Sequence, residues 1–220
     1  MSNSHIYILS GLGVDRRVFS KITFEGINIE YLDWMSPLPS ESMVSYAQRL
    51  SLKITVKNPI LIGLSFGGMM AMEIAKIIKV KKIILLASAK CNKEIPVLYR
   101  IIGALKLNNI IPNNLLKKHT MVMNYFFGIT YEEDKLMLKQ ILRDTDPQFL
   151  AWAVDKILNW KNKIISADLI HIHGSKDRII PINNIKTSYV IDHAGHFMTI
   201  THAKEVELLL RKLLIETCRH

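Results

Sequence analysis

The chain has 220 residues, 49% of them hydrophobic and 22% charged, with a formal net charge of +10. That balance suits one globular domain with a sizeable core, and no apolar run approaches the roughly 20 residues of a membrane span. The basic residues are scattered singly or in pairs without an arginine-aromatic motif, which argues against a nucleic-acid module and leaves an acidic partner open. Cys91 and Cys218 make no disulfide framework, and the opening MSNSHIYILSGLG lacks the basic start of a signal peptide. A reduced, cytoplasmic setting is expected.

Taken in order, Ile6–Leu9 reads as a buried strand that ends in Ser10-Gly11-Leu12-Gly13, with a helix opening near Val14–Phe19. A dinucleotide fingerprint would need a third glycine where Arg16 stands, and no phosphate-binding G-x-x-x-x-G-K-[ST] occurs. The loop reads instead as a backbone-amide donor for an oxyanion, through the Leu12 N–H. Residues 27–34 give a second strand. Pro37 and Pro39 separate it from a helix that Ser40 is expected to cap, with Met43, Ala47, Leu50 and Ile54 on one face.

The stretch Pro59–Ala75, PILIGLSFGGMMAMEIA, carries the strongest signal. An apolar run, Ile60–Ile62, turns through Gly63-Leu64-Ser65-Phe66-Gly67 into good helix formers. Glycine on either side of Ser65 lets a serine sit on a turn too tight for ordinary residues, with the hydroxyl lifted clear of the sheet edge. The competing reading is a glycine-rich strand-to-helix turn with Ser65 as a simple cap. Residues 79–82 close that helix and Ile83–Ala87 is a fourth strand, so the rhythm is that of a parallel sheet covered by helices.

At Lys90 the rhythm stops. Residues 90–163 show helical patterns, the clearest being Phe149, Trp152, Ala153, Ile157 and Trp160, and read as an inserted helical cap. The core is then 1–89 plus 164–220. The insertion holds twelve Lys or Arg, Lys117 and Lys118 among them, against seven Asp or Glu. Leu169–His173 resumes the sheet, Pro181–Ile185 reads as a short helix, Ser188–Ile191 as the last strand and Ile200–Leu214 as the closing helix.

Ser65, Asp177 and His196 each fall just beyond the C-terminal end of an expected strand, the edge where open α/β sheets gather their ligands. A serine hydroxyl becomes a nucleophile when a neutral imidazole takes its proton, and a carboxylate fixes that imidazole's tautomer. Asp33, Asp168 and Asp192 are rival acids, with Asp168 placed at the wrong edge, and His193 is the rival base. A metal site from His171, His173, Asp177 and His196 is a weaker alternative, lacking the usual companion Asp-His pair.

Together SGLG, GLSFGG, HGSKDRIIP and HAGHFM resemble the α/β-hydrolase superfamily over essentially the whole chain. The likeness is to its compact branch of small carboxylesterases, such as the pimeloyl-carrier-protein methyl ester esterase. Ser10 stands where relatives often carry histidine, and the two antiparallel strands that open the full family fold are expected to be absent. The resemblance implies an α/β-hydrolase fold, a mostly parallel six-stranded sheet flanked by helices, with the cap at 90–163. It implies Ser65 as nucleophile, Asp177 as acid, His196 as base, and the N–H groups of Leu12 and Phe66 as the oxyanion hole. It also implies cleavage of a carboxylic ester or thioester with no cofactor and no metal, and an acidic acyl-carrier protein is a candidate partner at the basic cap. A ligand-binding protein with little turnover, and a C–C hydrolase or lyase, are the alternatives.

Overall fold

The computed structural model describes residues 5–106, 120–164 and 168–219, and side chains as far as Thr217. Six strands form one sheet: β1 (Ile6–Leu9), β2 (Ile29–Tyr31), β3 (Ile60–Leu64), β4 (Lys82–Leu86), β5 (Leu169–Gly174) and β6 (Tyr189–Ile191). Their order is β2-β1-β3-β4-β5-β6, and every neighbouring pair is parallel. The expected parallel sheet of six strands is what the chain forms.

Alternate residues of each strand serve opposite faces, the two-residue period of a pleated chain. Ile6, Ile8, Ile60, Ile62, Ile84, Leu86 and Ile172 join one buried cluster, which the helix α8 (Ala203–Arg219) covers with Val206, Leu210, Leu213 and Leu214. Tyr7, Leu9, Leu61, Ile83 and Leu85 join the other, covered by α1 (Met43–Ser51) and α2 (Phe66–Ile74). Apolar side chains on both faces explain why the central strands read as unbroken hydrophobic runs.

Several boundaries differ from expectation for local reasons. Ser42, not Ser40, caps α1, its hydroxyl accepting from the Ser45 N–H at 3.0 Å, whereas Ser40 takes a positive φ of 57° in the preceding turn. The helix expected near Val14 is a single 3-10 turn, Arg16–Phe19, opened by Asp15. The second strand shrinks to three residues because only Ile29–Tyr31 find a partner in β1. Pro181–Ile185 likewise yields a 3-10 turn at Ile182–Asn184.

Between β4 and β5 lie α3 (Val97–Ala104), α4 (Met121–Phe127), α5 (Glu132–Asp144) and α6 (Pro147–Leu158), and no strand among the described residues. Lys117 and Lys118 fall outside them. Helix α6 has Pro147 in its first turn and an Asp146 cap on the Gln148 N–H, while α4 stops at Gly128 with φ 72°. Side chains tie these helices down: Trp152 Nε1–H donates to the Glu41 carbonyl and Trp160 Nε1–H to the Glu73 carboxylate, both at 2.8 Å. The short helix α7 (Met198–Thr201) leads into α8. Among the described residues no helix is long and apolar enough to cross a membrane.

Packing leaves no room for a side chain where α2 crosses the end of β1. A Cβ on Gly67 would run into the backbone carbonyls of Leu9 and Ser10, which have no side-chain freedom to yield. Gly67→Ala is therefore expected to lower stability by about 3 kcal/mol, an overpacking cost at the upper end of its usual range. Chemical denaturation measures it, and a midpoint equal to wild type would mean that the crossing is looser than described.

Candidate active site

Ser65 sits between β3 and α2 with φ 52° and ψ −119°, a left-handed strain that a non-glycine residue keeps only when its surroundings over-determine it. Those surroundings are explicit. The Ser65 N–H donates to the Leu86 carbonyl at 2.9 Å, and the Ser65 carbonyl accepts from Ser88 Oγ at 2.6 Å and from the Gly68 N–H at 2.9 Å. A Cβ on Gly63 would meet the Gly67 and Gly68 backbone, so the glycines flanking the serine are a steric requirement.

The other two side chains arrive from strand ends further along the same edge of the sheet. Asp177 follows β5 and His196 follows β6, and both are buried. His196 Nδ1 lies 2.7 Å from Asp177 Oδ2, and His196 Nε2 lies 2.8 Å from Ser65 Oγ. A carboxylate can only accept, so Nδ1 carries the proton and Nε2 offers its lone pair to the serine O–H. Asp177 Oδ1 accepts from the Ile179 and Ile180 N–H groups at 2.8 and 2.9 Å. Burial alone would raise the Asp177 carboxyl; the His196 charge and hydrogen bond, His173 and the Ile180 N–H outweigh it and hold it below the usual range.

These three residues, expected from the sequence, come together in the structure. Their rivals do not: His193 is exposed with φ 57° and faces Asp192, Asp33 pairs with Arg16, and Asp168 sits at the opposite end of β5. His171 and His173 do share one face of β5, their rings 5.3 Å apart. Among the described residues no group of three His, Cys, Asp or Glu side chains could hold a metal ion.

Ser65 and His196 open into a cavity of about 110 Å³. Leu12, Val14, Met69, Ile95, Tyr99, Phe127, Ile157, Ile179 and Ile180 line it, so its walls are apolar apart from the Tyr99 hydroxyl. Burial, and then the charge of Asp177, push the Tyr99 phenol above its ordinary value. Leu12 borders the cavity from the loop after β1, and Phe66 is the first residue of α2, whose N–H has no acceptor within the helix. Ser10 Oγ donates to the Val14 carbonyl at 2.9 Å and so braces the loop that carries Leu12.

A larger and more open cleft of about 560 Å³ lies across that loop. Most of its charges pair with one another, Arg17 with Asp15 at 2.7 Å and Asp144 at 3.0 Å, and none of the three converging residues lines it. The apolar content of the inserted segment divides in a way the sequence did not reveal. Ile95, Tyr99, Phe127 and Ile157 face the cavity, Trp152 joins the aromatic core with Tyr46 and Phe66, and Met121 is 87% exposed. Ser88, which braces the serine turn, gave no sequence signal beyond its place at a strand's end.

A family model described as the alpha/beta hydrolase family matches residues 25–207. Among solved structures, MenH from S. aureus superposes with a TM-score of 0.75 at 16% identity, covering 99% of this chain and 95% of that one. The esterase EaEST from Exiguobacterium antarcticum gives 0.72 at 18% identity, covering 96% and 92%. A thermophilic esterase from Thermogutta terrifontis gives 0.69 at 17%, covering 97% and 90%. At such identities these structural likenesses speak to the fold. No curated protein matches the chain.

Proposed function

The chain belongs to the alpha/beta hydrolase family, and from that premise we propose that it hydrolyses a carboxylic ester or thioester through an acyl-enzyme on Ser65. The observation that carries this reading is the unbroken relay from buried Asp177 through His196 to the hydroxyl of a strained serine at an apolar cavity. In the first half-reaction His196 Nε2 takes the hydroxyl proton as Ser65 Oγ bonds to the substrate carbonyl carbon. The resulting oxyanion is held by the Leu12 and Phe66 N–H groups, at the positive end of α2. Collapse of the adduct breaks the bond to the alcohol or thiol, which leaves with the proton from His196. Water then adds to the acyl-enzyme as the same imidazole takes its proton. The bond from the acyl carbon to Ser65 Oγ breaks, the imidazole returns the proton to that oxygen, and the acid is released.

The names of the esterase relatives agree with ester substrates. The cavity narrows the class further: its apolar walls suit a short, uncharged acyl group, and the segment between β4 and β5 acts as a cap that supplies Ile95, Tyr99, Phe127 and Ile157. An acidic acyl-carrier protein remains a candidate donor, drawn by the excess of Lys and Arg in residues 90–163.

A series of activated esters tests the reading. Each buried methylene adds about 0.8 kcal/mol while it finds wall to cover, so kcat/KM is expected to climb over the first few carbons and then fall. An acyl group ending in a carboxylate is expected to be a poor substrate. A preference for charged or long acyl groups would move the acyl site out of this cavity. For a carrier-linked substrate, kcat/KM is expected to drop steeply as salt shortens the Debye length from about 10 to about 3 Å, while a small neutral ester responds weakly. Equal salt slopes would remove the carrier.

A further inference from the structure

His173 is fully buried one turn of chain before the acid, and nothing in the reaction above uses it. Its Nε2 lies 2.8 Å from the Ile180 carbonyl and 3.4 Å from Asp177 Oδ2. Both neighbours can only accept, so Nε2 carries a proton and donates, chiefly to the nearer carbonyl. Ile180 is thus held twice: its N–H donates to Asp177 Oδ1 and its C=O receives His173. The turn that fixes the carboxylate is closed by this imidazole, while Ile179 and Ile180 border the cavity. His173 Nδ1 is buried with no hydrogen-bond partner, as expected of a ring whose other nitrogen holds the proton.

We propose that His173 is a positioning residue: protonated on Nε2 and neutral, it locks the Asp177–Ile180 turn and thereby sets the carboxylate on His196. This rests on the Ser65 reaction proposed above. Burial pushes His173 below the ordinary imidazole range, against the pull of Asp177 and the Ile180 carbonyl, which keeps the ring uncharged in working conditions. Neutrality matters here. An imidazolium at that distance would compete with His196 for the same carboxylate oxygen, and Glu94 is the other acid that acts on the ring. His171, whose ring packs edge-on against it, is pushed down to about 3 by burial and adds no charge of its own.

His173→Leu removes the donor at similar volume, and His173→Gln can return an N–H to the Ile180 carbonyl. With sites counted by a serine-directed phosphonate, His173→Leu is expected to lower kcat per labelled site on the order of 10²-fold, the cost of a small misplacement. KM is expected to change little, and the acidic limb of kcat to move to lower pH as His196 loses part of its support. His173→Gln is expected to recover most of that rate. Unchanged kcat per site and an unchanged pH profile in His173→Leu would overturn the proposal even if the variant melts earlier. Should His173→Leu fail to fold, nitrogen-15 NMR of histidine-labelled wild-type protein decides: the neutral Nε2–H tautomer is expected for His173, and an Nδ1–H or doubly protonated ring overturns it. Ser65→Ala serves as the control. If that variant keeps wild-type turnover, the serine reaction itself is wrong; if it is dead while His173→Leu is unaffected, only the positioning role falls.

Discussion

Ser65→Ala is expected to reduce turnover of activated esters by about 10⁴- to 10⁶-fold, the usual cost of removing the nucleophile from such a relay. The loss arises because His196 Nε2, 2.8 Å from Ser65 Oγ, is left with nothing to deprotonate but water. Folding should be untouched. The contacts that fix the turn, from Leu86, Ser88 and Gly68, all engage the Ser65 backbone, and alanine keeps that backbone. Alanine carries no more Cβ bulk than serine at φ 52°, so no strain is added. A serine-directed phosphonate is expected to label the wild type once, at Ser65, as read by peptide mass. An active alanine variant, or label on another residue, would overturn the nucleophile.

The second large effect is at the acid. Asp177→Asn is expected to lower kcat roughly 10⁴-fold while the protein still folds. The Asn side-chain oxygen can go on accepting from the Ile179 and Ile180 N–H groups, which places its NH₂ where Oδ2 faced His196. An NH₂ donates, so the imidazole must turn its unprotonated nitrogen toward it and present N–H to Ser65, the wrong tautomer for a base. Because the native carboxyl is held below the usual range, its contribution to stability is present above that range. It is lost as pH falls through the lowered native value. The wild type should accordingly lose stability in that acid window, and the Asn variant should lose less, as measured by thermal melts across pH. His193→Ala is the companion control and should retain its rate; an inactive His193→Ala with an active His196→Ala would reassign the base.

Much of this site was legible because its constraints are local in sequence. Gly63, Ser65 and Gly67 announce a strained turn, since only glycine satisfies the crossing over Leu9 and Ser10. Parallel strands read as apolar runs because both faces are covered, and their C-terminal ends fix where Asp177 and His196 must emerge. What was not legible depends on partners distant in the chain. The shift of the α1 cap from Ser40 to Ser42 follows how the segment before it is held, with the Trp152 indole N–H, far along the chain, on the Glu41 carbonyl at 2.8 Å. Trp152 shares the periodicity of Ile157, yet one packs into the aromatic core and the other faces the cavity. His173 drew notice only as a metal ligand, because the H-x-H spacing says which face a ring occupies and nothing of which carbonyl waits there.

The pairing of β4 with β5 joins Leu86 to Ile172 across the whole inserted segment. A chain emerging from the ribosome meets its parts in that order. β1, β3 and β4, and Ser65 with them, are all synthesised before Asp177 and His196. Closing the remaining gap costs entropy that grows only slowly with its length, so a long insertion is tolerated at little expense to the finished fold. The timing is what it changes. On the proposed reaction, the nascent chain in that interval has neither the acid nor the base that Ser65 needs. Competence for that reaction waits on β5 and β6, whose C-terminal ends carry both remaining side chains to the sheet edge.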